Sequence, residues 1–231
     1  AKPVAVQKPE STTPVDGSVP QVKRRSKNTS ALAEVDALSA LVETVEEEPF
    51  FSSMWQISNK GRINFLELFS GSARLSEAAA AQGLLVGQPI DLRTGFDLNT
   101  QAGQRKAWEI IVSQKPDVVF MAPVCTPWSS LRNSAPEEVR EKERAAVLPM
   151  VHFCVAVAVF QQQHQRFFMI ENPETSAMWK ENKMSALAGQ STVEWGVLDL
   201  CCYGLKDPQS GLLMKKGLCL CLLYTSDAAD E

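Results

Sequence analysis

The 231-residue chain is 45% hydrophobic and 22% charged, which is normal for a soluble globular protein of one ordinary domain with tails. Its net charge of −4 gives no whole-chain signature of nucleic-acid binding, although a local basic surface would suffice. The longest apolar run, residues 147–160, is interrupted by Pro149 and His152, so we expect no membrane partner. Because the N-terminus lacks an apolar signal core, we expect an intracellular protein.

The chain has six cysteines: Cys125, Cys154, Cys201, Cys202, Cys219 and Cys221. Without a secretory signal, they are expected to be free thiols in a reducing compartment. The pairs Cys201-Cys202 and Cys219-x-Cys221 lack the C-x-x-C spacing of zinc sites, so no metal is expected.

The N-terminal part divides into two segments. Residues 1–28 are rich in Pro, Ser, Thr, Val and Lys without apolar periodicity, which predicts a disordered basic segment. Its basic cluster, residues 23–27, is either a nuclear-import signal, a DNA-contacting arm or a solvated linker. The apolar spacing of residues 29–54 predicts an acidic amphipathic helix and linker, which either docks on the domain or pairs with a partner helix.

From residue 55 onward, strand and helix patterns alternate. Apolar runs predict strands at residues 63–69, 84–90, 117–121, 167–170 and 193–202. Helices are predicted through residue 82, at 101–114, from a Ser134-x-x-Glu137 capping box to about residue 165 with a kink at Pro149, and at 176–187. This alternation predicts a mostly parallel sheet with helices on both faces, an α/β fold of the Rossmann-like class.

One cysteine lies in an unusual loop. Cys125 follows the predicted strand 117–121 and lies between Pro123 and Pro127, two residues from each. Open α/β folds place their chemistry at the carboxyl ends of such strands, and a partly exposed thiol there is a candidate nucleophile. The alternative is a buried structural cysteine, which is the usual state of a free thiol.

Two further motifs lie at predicted strand ends. The small-residue turn Ser70-Gly71-Ser72 has the shape of a nucleotide-binding crevice, although its single glycine does not meet the dinucleotide fingerprint. Asp91 ends the second predicted strand, where it either grips ribose hydroxyls or caps a turn.

An apolar strand precedes Glu171 and Asn172. If that strand is adjacent to the one before Cys125, the Glu171 carboxyl lies beside the thiol and can donate a proton to a ring nitrogen. Otherwise, Glu171 and Asn172 simply cap the next helix.

Together these motifs resemble the cytosine-5 DNA methyltransferase family. Phe69-Ser70-Gly71 is similar to its first cofactor motif, Pro123-Val124-Cys125 to its catalytic loop, and Glu171-Asn172 to its Glu-Asn motif. Tyr203-Gly204 with Lys215-Lys216 loosely resembles a later motif that supplies basic side chains. Residues 63–217 resemble most closely the short methyltransferase-like domains of mobile-element and phage-type polyproteins.

The resemblance implies S-adenosylmethionine as cofactor and double-stranded DNA as partner, with the target cytosine flipped out of the duplex. Cys125 is implied to attack carbon 6 while Glu171 protonates nitrogen 3, so that carbon 5 accepts the methyl group. The implied site residues are listed by role: Cys125, Glu171 and Asn172 for catalysis; Phe69, Ser70, Gly71, Asp91, Asp97 and Pro123 for the cofactor; Ser129, Lys215 and Lys216 for nucleic acid.

The sequence departs from the family at several positions. Val124 replaces the proline before the catalytic cysteine, Ala73 replaces a glycine, and lysines replace arginines in the later motif. We expect a C-terminally truncated fragment without a separate target-recognition domain: a methyltransferase-like domain at residues 55–217 and a non-native tail at 218–231. The alternatives are a degenerate, non-catalytic DNA-binding or structural domain of a mobile-element polyprotein, or an RNA methyltransferase. The recognition sequence and oligomeric state stay open.

Overall fold

The structure is a computed structural model that describes residues 62–223 and the backbone of Lys23–Arg24. The acidic helix predicted within residues 29–54 lies outside the described residues, as does the rest of the N-terminal segment. The described residues form six strands: β1 (Lys23–Arg24), β2 (Phe65–Leu68), β3 (Val118–Met121), β4 (Phe167–Pro173), β5 (Val193–Asp199) and β6 (Gly217–Leu223). The same part of the chain has four α-helices: α1 (Arg74–Ala81), α2 (Gln101–Gln114), α3 (Glu137–Gln163) and α4 (Asn182–Gly189).

The strands form one sheet in the order β1-β5-β6-β4-β3-β2. Strands β2, β3 and β4 pair in parallel, and β6 lies antiparallel between β4 and β5. Consequently β5 runs in the same direction as β4, and four of the six strands share one direction. The predicted Rossmann-like α/β class, a mainly unidirectional sheet flanked by helices, is confirmed.

Helix α3 supplies the centre of the core. Its residues 151 and 153–161 are buried, and it packs against β3, β4 and α4. By length and composition alone this helix could cross a membrane, but 56% of its most apolar window is buried inside the domain, as in any core helix. The chain continues through Pro149 as a helix, where Gln104 Nε2 donates to the Pro149 carbonyl over 3.1 Å.

Two predicted elements are wrong in detail. The strand predicted at residues 84–90 is reduced to isolated parallel bridges at Val86 and Ile90, because Pro89 has no N–H to offer a ladder. The predicted capping box also does not form. Ser134 ends a short 3₁₀ helix (Ser130–Ser134), and Pro136 precedes α3 without a side-chain cap.

The C-terminal boundary of the domain is also wrong. Residues 218–223 were expected to belong to a tail outside the domain, but they form most of β6 in the middle of the sheet. Cys219 and Cys221 are fully buried there. The alternation of leucine and cysteine suits a strand that packs one face into the core, so the domain extends at least to Leu223.

The backbone at Lys23–Arg24 differs from the disorder expected of residues 1–28. These two residues pair antiparallel with Gly196 and Val197 of β5. Strand β6 pairs with one edge of β5. The N–H and C=O groups of the other edge are available to an added strand, and β1 takes that place.

Candidate active site

The loop that carries Cys125 and the strand that carries Glu171 are neighbours. Strands β3 and β4 pair in parallel from Val118 opposite Phe167 to Met121 opposite Ile170. Their carboxyl ends therefore meet at one edge of the sheet, as predicted for adjacent strands. The catalytic edge, as we call it, comprises the chain that follows β3 together with residues 171–173 of β4.

Glu171 and Asn172 do not cap the next helix. Strand β4 continues to Pro173, so both residues lie within the ladder. The following 3₁₀ helix (Ala177–Lys180) is capped by the Ser176 hydroxyl, which accepts from the Met178 N–H. The capping interpretation of Glu171-Asn172 is therefore wrong.

Asn172 ties the two halves of the catalytic edge together. Its side chain is fully buried, and its Nδ2 donates to the Pro123 carbonyl over 3.0 Å. Its Oδ1 is buried and has no hydrogen-bond partner among the described residues. The bond fixes the loop two residues before Cys125.

Cys125 is partly exposed, unlike three other cysteines of the chain. Burial raises the pKa of the Cys154 and Cys221 thiols far above the usual range, which keeps both thiols protonated. The Cys125 carbonyl accepts from the Trp128 N–H over 3.0 Å and begins a 3₁₀ helix (Thr126–Trp128). Cys125 is thus not the buried structural cysteine of the alternative interpretation.

Glu171 carries a perturbed carboxyl group. Burial raises its pKa above the ordinary value of 4.5, while the positive charge of Lys216 partly opposes that shift. A carboxyl group that stays protonated to higher pH can act as a proton donor closer to neutrality. This is the property expected of an acid that protonates a ring nitrogen.

Contacts from α3 hold the loop after Cys125. Arg144 Nε donates to the Pro127 carbonyl over 3.3 Å, and its guanidinium lies 5.7 Å from the centre of the Trp128 ring. Arg132 Nε donates to Glu143 over 3.0 Å. Glu143 and Arg144 belong to a run of alternating charges on α3, and their contacts brace the loop. Sequence reasoning missed this role because only the fold shows which face of α3 meets the loop.

Trp128 itself is buried, with 5% of its surface exposed. It therefore packs under the loop and is not offered to a base. Its indole Nε1 is buried without a partner among the described residues.

The candidate cofactor turn follows β2 and is unusual in its backbone. Phe69, Gly71 and Ala73 have φ values of 59°, 54° and 56°, all in the left-handed region. Beneath the turn, the buried Glu67 carboxylate accepts from the Ser76 N–H over 2.9 Å and from the Ser76 hydroxyl over 2.5 Å. These bonds tie the start of α1 to the end of β2 and hold the turn between them.

Asp91 lies against this turn. Its Oδ2 accepts from the Gly71 N–H over 2.9 Å, and its Oδ1 accepts from the Arg93 N–H over 3.0 Å. The second bond caps a 3₁₀ helix (Leu92–Thr94), so the capping role of the alternative interpretation is present. Since each carboxylate oxygen accepts more than one hydrogen bond, capacity for ribose hydroxyls remains.

The turn fits a nucleoside cofactor with hydroxyl and charged groups. The Ser70 hydroxyl is buried and has no partner among the described residues. A Cβ placed on Gly71 would meet nothing within 4 Å, so the backbone there is open to a ligand. S-adenosylmethionine carries groups of both signs for such donors and acceptors, and Phe69, Ser70, Gly71 and Asp91 are the residues that would hold it.

The remaining predicted residues have local partners. Asp97 is exposed, and its Oδ1 accepts from the Asn99 N–H over 3.0 Å. The Ser129 hydroxyl accepts from the Leu131 N–H over 3.2 Å. Lys215 lies 3.9 Å from Asp199, and Lys216 is exposed near Glu171. Their cofactor and nucleic-acid roles stay predictions.

Comparisons with known proteins give a structural likeness but no match in sequence. No protein-family model matches the sequence, and no curated protein matches it. The chain is similar to the crystal structure of the S. pombe Dnmt2 methyltransferase, with a TM-score of 0.40 and 11% sequence identity. The match covers 71% of this chain and 51% of that one, so the chain spans about half its length. At this level the likeness identifies neither a family nor a substrate.

Proposed function

We propose that this protein transfers a methyl group from S-adenosylmethionine to carbon 5 of cytosine in DNA. The observation that carries the proposal is the hydrogen bond from Asn172 to Pro123, which joins the loop of Cys125 to the strand of Glu171. A nucleophile and an acid from adjacent strands then act at one edge of the sheet.

Cys125 supplies the nucleophile. The residue is partly exposed, and its sulfur, as the thiolate, adds to carbon 6 of a cytosine that has left the base stack, so that a carbon–sulfur bond forms. Addition at carbon 6 breaks the aromatic ring system and makes carbon 5 electron-rich. After carbon 5 has been methylated, a solvent base takes the proton from carbon 5, the thiolate departs from carbon 6 and nitrogen 3 returns its proton to Glu171, which restores the ring.

Glu171 supplies the proton that makes this addition favourable. Protonation of nitrogen 3 lets the ring accept the electron pair of the thiolate, and a half-buried carboxyl with a raised pKa suits that task. Asn172 does not itself react. It is a positioning residue, since it holds the loop through Pro123.

The turn after β2 would hold the cofactor. The buried Ser70 hydroxyl and the open backbone at Gly71 would contact it, and the Asp91 carboxylate, which lies against the turn, would accept from its ribose hydroxyls. When bound, S-adenosylmethionine supplies the electrophilic methyl group. Asp97 and Pro123 are proposed as further contacts.

The first experiment is calorimetric titration of the full chain with S-adenosylmethionine. The Gly71→Asp variant is the comparison: a Cβ has open space there, and Asp tolerates the left-handed backbone, so the fold should persist. We expect micromolar binding by the chain and its loss in the variant. A folded chain that binds no cofactor would instead support the non-catalytic alternative.

The second experiment is covalent trapping on mixed-sequence duplex DNA with 5-fluorocytosine at every cytosine. We expect a cofactor-dependent adduct that survives denaturation, is absent in Cys125→Ser and persists in Cys202→Ser, where the replaced thiol is also exposed. Methyl transfer by Cys125→Ser would refute the nucleophile. An adduct with 5-fluorocytosine RNA alone would favour the RNA alternative.

A further inference from the structure

An ordered arm leaves the sheet beside the catalytic edge. It comprises residues 204–216, between β5 and β6, and we call it the β5–β6 arm. At its root Asp199 pairs with Gly217, and the Leu200 N–H donates to the Lys216 carbonyl over 3.0 Å. Because β5 runs parallel to β4, the root lies at the same edge of the sheet as Glu171.

The arm is built by its own hydrogen bonds. The Met214 N–H donates to Leu205 over 2.9 Å, and the Asp207 N–H donates to Leu212 over 2.8 Å, which makes a narrow antiparallel hairpin. The tip is closed by the Asp207 side chain, which accepts from Ser210 and Gln209. This geometry fixes the direction of the side chains before any partner arrives.

Three consecutive large apolar side chains on the arm face solvent. Leu212 is 70% exposed, Leu213 61% and Met214 39%. An isolated exposed leucine is common, but an ordered arm that presents three in a row keeps apolar area in water at a cost. Such a surface is typical of a contact that a partner covers.

The charges around this apolar triplet indicate the partner. Lys206 precedes it, and Lys215 and Lys216 follow it, all three with exposed side chains. The arm's one carboxylate, Asp207, is occupied by bonds within the tip. Asp199, at the root, lies 3.9 Å from Lys215 and balances part of that charge. Cations on both sides of an apolar patch suit a polyanion whose interior is apolar.

We propose that the β5–β6 arm binds the DNA duplex next to the target cytosine, with Leu212, Leu213 and Met214 entering the gap that the flipped base leaves in the stack. This inference rests on the proposed function and adds the element that keeps the gap open. Apolar wedges of leucine or methionine part base steps in other DNA-binding proteins, and lysines hold the phosphates on either side.

The test measures binding of the full chain to two labelled duplexes by fluorescence anisotropy. One duplex is perfect, and the other lacks a single base, so that one step of the stack is already open. We expect the chain to prefer the gapped duplex by about tenfold, the order of one stacking contact. Leu212→Ser/Leu213→Ser should lose this preference, while the matched exposed pair Leu84→Ser/Leu85→Ser should keep it. Lys215→Gln/Lys216→Gln should weaken binding to both duplexes and lower the salt slope by about two.

Equal binding to both duplexes, or an unchanged preference in Leu212→Ser/Leu213→Ser, would overturn the wedge. If Cys125 is still trapped in that case, the proposed methyl transfer stands and only the arm's role falls. A shift in sedimentation of the arm variant from dimer to monomer would make the arm a contact between copies of this chain and also overturn the proposal. If Leu212→Ser/Leu213→Ser loses the preference for the gapped duplex but the parent chain forms no adduct at Cys125, the arm is a DNA contact of a non-catalytic domain.

Discussion

The buried amide of Asn172 donates to the carbonyl of Pro123 over 3.0 Å and joins the ends of two parallel strands. One of these strands leads to Cys125, and the other carries Glu171. Since the acceptor is a backbone oxygen, the bond restrains the path of the loop without restraining the identity of its side chains.

Removal of this bond should destabilise the protein and misplace the thiol. Asn172→Ala leaves the Pro123 carbonyl unpaired in a buried place, which costs about 1–3 kcal/mol of the free energy of unfolding. Urea denaturation measures the loss, and Asn133→Ala, at an exposed position, is the control. The rate of adduct formation with 5-fluorocytosine DNA should fall as well. Unchanged stability and an unchanged rate would remove Asn172 from the site.

Ala73 holds a backbone conformation that favours glycine. Its φ of 56° and ψ of 24° place Ala73 in the left-handed region, where a Cβ costs about 1–2 kcal/mol. Removal of the Cβ in Ala73→Gly relieves this cost, but glycine has the greater conformational entropy in the unfolded chain, which offsets part of the relief. The variant should therefore stabilise the protein by up to about 1 kcal/mol. Ala78→Gly, at an exposed position inside α1, should destabilise by about 1 kcal/mol. Thermal melts of both variants test the opposite signs, and a loss of stability in Ala73→Gly would contradict the strain.

The carboxyl of Glu171 should make stability depend on pH in a stated direction. Burial raises its folded-state pKa above the ordinary 4.5, so the folded protein holds the proton more tightly than the unfolded chain. Its favourable contribution is therefore complete below about pH 4.5 and is lost as the pH rises through the folded pKa. Glu171→Gln never ionises, so its free energy of unfolding should increase relative to that of the parent chain as the pH rises through the folded pKa of Glu171.

Denaturant titrations at several pH values give this difference. The same Glu171→Gln variant should lose adduct formation at every pH, because it has no proton of suitable acidity to donate. Lys216→Gln is the complementary variant: without the opposing charge, the pKa of Glu171 should rise further. A pH-independent stability difference between parent and Glu171→Gln would refute the raised pKa.

The thiols should separate into two groups on alkylation of the native protein. Cys125, Cys201 and Cys202 are partly or largely exposed and should react, whereas Cys154, Cys219 and Cys221 are buried and should stay protected until denaturation. Mass spectrometry after iodoacetamide treatment assigns each site. Early labelling of Cys219 and Cys221 would contradict the place of β6 in the sheet, and early labelling of Cys154 would contradict the burial of α3.

Local patterns carried much of the fold and of the site. Periodicity predicted α2 at its observed bounds and β3 to within a residue, because the apolar spacing of each element matches its own repeat. Local patterns failed at two prolines, which have no N–H to donate. Pro89 interrupts the strand predicted at residues 84–90, and Pro136 precedes α3 in place of the predicted cap. Local patterns failed at β6 too, whose apolar run could be assigned to a core only once β4 and β5 were seen on both sides.

The sequence by itself determined the alternation of strands and helices, the loop that carries Cys125 and the strand that carries Glu171, since these follow from residue type and short-range spacing. Only the tertiary structure decided that β3 and β4 are adjacent, that Asn172 bonds to Pro123, and that the β5–β6 arm leaves the sheet at the catalytic edge. These relations join residues far apart in the chain. They depend on which strands pair and in which direction, and local patterns leave strand order open.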